Sequence, residues 1–244
     1  MRPKELLKAL TSPKYIRDFL RFRALARVAG LPMPSLGHIR PITDEATKET
    51  GFDTHYVYHT GWATQFLART KPSQHVDIGS SLYFVTNAAA ICPITHYDYR
   101  PPKLAMPGVN VGAADLLNLA FADNSIPSLS CMHVVEHVGL GRYGDTLDPA
   151  GDHRACAELA RVLAPGGQLL FVTPVGREAI QFNAHRVYSY EGVLTLFPSL
   201  RLKEFALITD KRDSQGAVFV PNADPARVAM QRYGCGCFVF EKAV

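Results

Sequence analysis

The chain has 244 residues, 47% of them hydrophobic and 20% charged, with a formal net charge of +4. These values exclude a disordered chain and a miniature domain that needs disulfide or metal staples, and they leave room for one large core. Eight basic residues (Arg2, Lys4, Lys8, Lys14, Arg17, Arg21, Arg23 and Arg27) precede Gly30, opposed only by Glu5 and Asp18, so the rest of the chain is close to neutral. A nucleic-acid enzyme more often carries its basic surface across the catalytic domain, so nucleic acid is disfavoured as a partner. The five cysteines (Cys92, Cys131, Cys156, Cys235 and Cys237) lack paired Cys-x-x-Cys spacing, which points to a reducing compartment and to no zinc motif. No apolar run reaches the roughly 18 residues of a spanning helix. The charged N-terminus has no apolar signal core behind it, so a cytoplasmic protein is expected.

The first predicted element is a helix over Lys14–Val28, with Ile16, Leu20, Ala24 and Val28 on one stripe and Gly30 and Pro32 ending it. Residues 32–51 read as a connector, and a second helix is expected over about Gly61–Arg69, stopped by Pro72. From His75 the pattern changes to short buried strands alternating with helices. The strands are His75–Ile78, Ile94–Tyr97, Asn110–Val111, Leu129–His133 and Gln168–Thr173. The helices fall over about Tyr83–Ala90, after Val134, and over Asp152–Leu163 with Asp152 as N-cap. Ala164-Pro165-Gly166-Gly167 reads as a helix stop and turn. Two β-rich runs, Leu202–Asp210 and Cys235–Lys242, joined by a long polar loop, suggest an antiparallel pair at the sheet edge. The sum is a doubly wound α/β fold with a mostly parallel seven-stranded sheet. It divides into a basic helical extension and connector (residues 1–50) and a main domain (residues 51–244).

In such a sheet, ligands bind beyond the carboxyl ends of the strands. The first strand ends in Asp77-Ile78-Gly79-Ser80-Ser81, where the glycine admits close backbone approach. The second ends at Asp98, where a carboxylate can accept from both hydroxyls of a ribose; a solvated turn is the alternative. After the third, Asp115-Leu116 can accept from an adenine amino group.

Three further segments carry a resemblance. The run from Asp115 to Ile126, Val134-Val135-Glu136-His137-Val138, and Glu158 to Leu170 with its Pro165-Gly166-Gly167 turn are similar, in that order, to motifs of class I S-adenosylmethionine-dependent methyltransferases. The likeness spans about His75–Thr173. It implies a Rossmann-like fold and S-adenosyl-L-methionine as cofactor, with Asp77, Ile78, Gly79, Ser80 and Ser81 along its methionine part. Asp98 would lie at the ribose, Asp115 and Leu116 at the adenine, and His133 beside the methyl group. The family's glycine-rich first loop is altered, since Ser81 and Tyr83 replace its second and third glycines. The segments Glu136–Asp145 and Phe182–Tyr188 also resemble a little-characterised methyltransferase-like family associated with bacterial surface-polysaccharide gene clusters.

Methyl transfer to a hydroxyl needs alignment and usually a base. His133, at the fourth strand end, leads the candidates, with His137 one turn on and His185 after them. Arg142 and Tyr143, in a glycine-punctuated loop, and Asn183, His185 and Arg186, after the fifth strand, are candidate acceptor-binding residues. Asp145, Asp148, Asp152 and His153 suit turns and a cap better than a cation, so no metal centre is expected. Cys235-Gly236-Cys237 reads as core packing. The expected function is O-methylation of a small hydroxylated or sugar- or glycan-linked acceptor. The alternative is a non-catalytic interaction module on the same fold, tethered by its N-terminal helix. That helix has four readings: peripheral contact with the inner face of a membrane, a lid, dimerisation, or plain packing on the core.

Overall fold

The structure, a computed structural model, describes residues 12–210 and 218–244. Arg2, Lys4 and Lys8 of the basic segment, and the first part of the polar loop before the last strand (residues 211–217), lie outside the described residues. The chain forms two compact units, Met1–Phe52 and Asp53–Val244. Among the described residues no helix is long and apolar enough to cross a membrane.

In the first unit, α1 (Pro13–Val28) starts behind Ser12, whose hydroxyl accepts from the Tyr15 amide, and has proline at its entry. Gly30, at φ +66°, takes the left-handed conformation that closes it.

The second unit opens with α2 (Thr54–Thr70), capped by the Asp53 carboxylate on the Tyr56 amide at 3.1 Å. It begins well before the expected Gly61. One glycine inside a helix costs only about 1 kcal/mol, less than the burial of Ala63, Phe66 and Leu67 on its inner face returns. Then follow β1 (His75–Ile78), α3 (Leu82–Ala88), β2 (Ile94–Asp98), β3 (Val109–Ala113), β4 (Ile126–Met132), α4 (Gly151–Val162) and β5 (Leu163–Val175). After these come a small hairpin, β6 (Ala179–Gln181) and β7 (His185–Val187), then α5 (Tyr190–Leu196), β8 (Leu200–Ile208), β9 (Phe219–Pro221) and β10 (Gly234–Lys242).

The main sheet has eight strands in the order β3-β2-β1-β4-β5-β10-β8-β9. The stretch from β3 to β5 is parallel, while β10 runs antiparallel between β5 and β8. The eighth strand is the short edge strand β9 on β8. One face carries Leu129, Leu159, Phe171, Phe197, Phe238 and Phe240; the other packs Phe66, Leu67, Phe84, Ile94, Met132 and Cys237. Large apolar side chains buried this fully stabilise by about 1.5–3 kcal/mol each.

Three local expectations are corrected. After Val134 there is only a 3-10 turn, Val135–His137, because Gly139, Gly141 and Gly144 adopt φ of +78°, +70° and +84° and turn the chain into a loop. Asp152 is not the cap of α4, since Ala150 holds that position. Asp152 is instead buried, accepting from the Tyr188 hydroxyl at 3.0 Å and paired with Arg186 at 3.3 Å. The Ala164–Gly167 turn lies inside β5, where the pairing register with β4 slips between Ile126 and Ser128. Arg161 ties this region together, donating to the Leu119 and Phe121 carbonyls at 2.9 Å each and pairing with Glu158 and Asp123.

Candidate functional site

Two adjoining cavities open at the carboxyl ends of the parallel strands. The first, of about 260 Å³, is lined by Ile78 and Gly79 from the end of β1, Asp98 from β2, Asp115 and Leu116 after β3, and His133 after β4. Gly79 sits at φ +69°, its amide donating to the Tyr97 carbonyl at 2.7 Å; a Cβ there would come within 3.1 Å of Val134. Asp98 and Asp115 each spend one oxygen on a local turn, accepting from the Arg100 amide at 2.7 Å and the Leu117 amide at 2.9 Å. Each carboxylate is thereby held at the cavity wall. Tyr143 lies across this wall with the Arg100 guanidinium over its ring at 4.6 Å. The loop carrying Tyr143 is held by Asp145, which accepts from the amides of Gly139 (2.8 Å), Tyr143 (3.1 Å) and Gly141 (3.3 Å).

The second cavity, of about 620 Å³, shares Gly79, His133, His137 and Tyr143 with the first and adds polar walls from Ser80, Ser81, Arg142, Asn183 and His185. Tyr56 from α2 and Tyr233 before β10 face it as well. Arg142 donates to the Ala184 carbonyl at 2.9 Å, which fixes its guanidinium at the rim.

Between and behind the cavities lies a histidine cluster around one buried carboxyl. His133 sits at φ +57°, a backbone conformation that non-glycine residues seldom adopt, held by its amide on the Val172 carbonyl at 2.8 Å. Its Nδ1 lies 2.9 Å from Glu136 Oε1 and its Nε2 3.4 Å from Cys235 Sγ. When Glu136 is ionised its carboxylate accepts, so Nδ1 then carries the proton and Nε2 presents a lone pair. His137 Nδ1 lies 2.6 Å from the Ala184 carbonyl, which likewise leaves the His137 Nε2 lone pair, 3.8 Å from Glu136 Oε1. His55 stacks between the rings of His133 and Tyr233, and His59 meets His133 edge-on at 4.9 Å. Burial lowers His55 and His133 to about 4 and His59 to about 3, so all three are neutral at neutral pH. Burial likewise raises Glu136 to about 7. Glu136 Oε2 and His185 Nε2 are buried without a hydrogen-bond partner among the described residues. Within those residues, one group brings metal-ligating atoms together: His55, His133 and Cys235, all within 4.8 Å of one another.

The chain superposes on the N-methyltransferase NodS of Bradyrhizobium japonicum in complex with S-adenosyl-L-homocysteine, with TM-score 0.55 and 17% identity over 81% of this chain and 93% of that one. It also matches the 1,6-didemethyltoxoflavin N1-methyltransferase of Burkholderia thailandensis, with TM-score 0.51 and 13% identity over 100% of this chain and 92% of that one. This is the class I methyltransferase fold. The [4+2]-cyclase SpnF shares it, with TM-score 0.53 and 16% identity over 90% of this chain and 92% of that chain, so the fold by itself does not name a reaction. A family model described as "Caenorhabditis protein of unknown function, DUF268" matches residues 121–203. No curated protein matches the sequence closely enough to count as a relative.

On this fold, Ile78, Gly79, Asp98, Asp115, Leu116 and His133 come together in the first cavity, and Ser80, Ser81, Arg142, Asn183 and His185 in the second. The serine hydroxyls are already engaged: Ser80 Oγ accepts from the Met132 amide at 3.1 Å and Ser81 Oγ from the Tyr83 amide at 3.3 Å. Two expected site residues line neither cavity. Asp77 is fully buried under the loop, accepting from the Ser130 hydroxyl, the Ser80 amide (3.2 Å) and His96 Nδ1 (2.7 Å). Arg186 is buried too, donating to the Val138 and Pro149 carbonyls at 2.6 and 3.3 Å and pairing with Asp152. Of the acidic residues between β4 and β5, Asp145 serves backbone amides, and Asp148 and Asp152 pair with Arg154 and Arg186. His55, Tyr56, His59 and Tyr233 escaped the sequence reading. The i,i+4 spacing of His55 and His59 was a usable signal once α2 was extended back to its Asp53 cap.

Proposed function

We propose that the chain is an S-adenosylmethionine-dependent methyltransferase acting on a hydroxyl of a small polar acceptor, with sugars and glycan-linked groups as the acceptor class. One observation carries this reading: two cavities at the strand ends share Gly79, His133, His137 and Tyr143, one bearing the carboxylates Asp98 and Asp115 and the other lined mostly by polar groups. Bound in the first, the cofactor would supply an electrophilic methyl group. Asp98 would accept from the ribose hydroxyls and Asp115 from the adenine amino group, with the Gly79 backbone beside the methionine part. In the second, Arg142 would pair with an anionic group of the acceptor, and Asn183 and Tyr143 would orient it.

His137 is the preferred base. Its Nε2 lone pair belongs to a ring that lines both cavities, whereas the two nitrogens of His133 already face Glu136 and Cys235. Burial lowers His137 below the ordinary histidine value of 6.5, so the ring is unprotonated at neutral pH and the acid limb of the rate profile lies below pH 6.5. His185 is the next base in line, and Glu136 holds the rings in place.

Calorimetry with S-adenosylmethionine tests the cofactor half: micromolar binding is expected, and no heat of binding would overturn the reading. A screen of hydroxylated sugar acceptors with labelled cofactor tests the other half. In the acceptor that responds, His137→Ala should lower turnover by about 10²–10⁴ with cofactor affinity kept.

A further inference from the structure

We propose that His55, His133 and Cys235 form a three-ligand site for a zinc-like divalent cation at the wall of the larger cavity. The three residues come from distant parts of the chain: the first turn of α2, the residue after β4 and the start of β10. The fold nonetheless brings their donor atoms within 4.8 Å of one another. His133 Nε2 and Cys235 Sγ stand 3.4 Å apart. Two such donors on one tetrahedral zinc, at about 2.0 Å to nitrogen and 2.3 Å to sulfur, are separated by about 3.5 Å.

The surroundings also suit a ligand set. Histidine ligands typically give their second ring nitrogen to a carboxylate or a backbone carbonyl, which fixes the tautomer and aims the lone pair. His133 does this through Glu136 Oε1 at 2.9 Å, and the His55 ring is packed in place by stacking on Tyr233 at 5.1 Å. Behind them, His59 Nδ1 bonds the His55 carbonyl at 2.7 Å, so its Nε2 is a bare lone pair, and that atom is buried with no hydrogen-bond partner among the described residues. Leaving such a buried imidazole lone pair unbonded is costly. Two imidazoles and a thiolate suit zinc and disfavour the hard cations magnesium and calcium. Because His133 lines the larger cavity, the remaining coordination position would go to water or to an oxygen of a bound acceptor.

The test is metal binding by the full chain after treatment with a chelator. Titration with Co²⁺ should saturate at one ion per chain and give a thiolate-to-cobalt charge-transfer band in the near ultraviolet, and Zn²⁺ should displace it. The band should vanish in Cys235→Ala and persist in Cys92→Ala. Zinc affinity measured by calorimetry should fall at least tenfold in His55→Ala and about 10–100-fold in Glu136→Gln. Circular dichroism checks that each variant is folded; His55→Ala, in the first turn of α2, spares the core. Absence of stoichiometric binding, or a charge-transfer band that survives in Cys235→Ala, would overturn the proposal. The inference does not depend on methyl transfer, so a negative cobalt titration leaves the cofactor calorimetry to stand or fall separately.

Discussion

At the scale of single residues, the first cavity depends on one glycine and two carboxylates. Asp98 lines it while one oxygen holds the Arg100 amide. Asp98→Ala should cost about 1.5–3 kcal/mol of cofactor affinity, the range for losing a charged hydrogen-bond partner. Equal affinities by calorimetry in a folded variant would remove the ribose assignment. Gly79 is more constrained. At φ +69° any side chain is strained, and Cβ would press on both methyl groups of Val134, which lines the same cavity. Gly79→Ala should therefore weaken binding more than it weakens folding, a contrast that calorimetry and thermal melting can show together.

At the scale of elements, the loop from Gly139 to Pro149 is where this chain builds its site, and Arg186 holds that loop from beneath. The side chains of Arg186 and Asp152 are each 5% exposed. Removing one partner of a buried pair strands the other charge and costs about 3–5 kcal/mol. Arg186→Ala should lower stability by that amount in a denaturant titration. Loop order should suffer with it, because the Val138 and Pro149 carbonyls lose their donor. A midpoint unchanged from the parent would show that the pair does not hold the loop. Sequence reading places Arg186 in the acceptor site because its segment follows the fifth strand, on the far side of the cleft. Only packing shows that it points into the protein.

At the scale of the whole molecule, the sheet encloses polar groups whose ionisation couples folding to pH. His75 is fully buried between Ser128 and Ser130, with Nδ1 and Nε2 at 2.7 and 2.9 Å from their hydroxyls, and burial lowers it from 6.5 to about 4. Its folded value lies below its unfolded one. The unfolded chain therefore takes up the proton first, and stability present above pH 6.5 is lost as pH falls toward 4. The full effect for this one group is about 3 kcal/mol. His96 has the opposite sign: burial alone would lower it, but the hydrogen bond and charge of Asp77 together with the charge of Asp98 outweigh that and raise it, so its contribution is lost as pH rises. Melting temperature followed from pH 7 to 4 should fall, and more shallowly in His75→Gln. Equal slopes would mean that His75 does not titrate with folding.

The layering of this protein is written in its residue pattern. Short apolar runs alternating with helical stretches require a parallel sheet covered on both faces, because each run buries on both sides. Acidic residues at the ends of the first three strands were legible too, since strand ends are read from the same periodicity. Of these, Asp98 and Asp115 line the cavity, whereas Asp77, on the first strand, turns inward to His96 and Ser130. Contacts between segments far apart in the chain depend instead on packing. His55 and Cys235 lie 180 positions apart in the sequence, yet both reach His133 because β10 runs antiparallel beside β5 and the N-terminal end of α2 packs over the same edge. Local propensity carries no term for such meetings. They follow from strand order, which is set by how the whole chain buries its apolar surface.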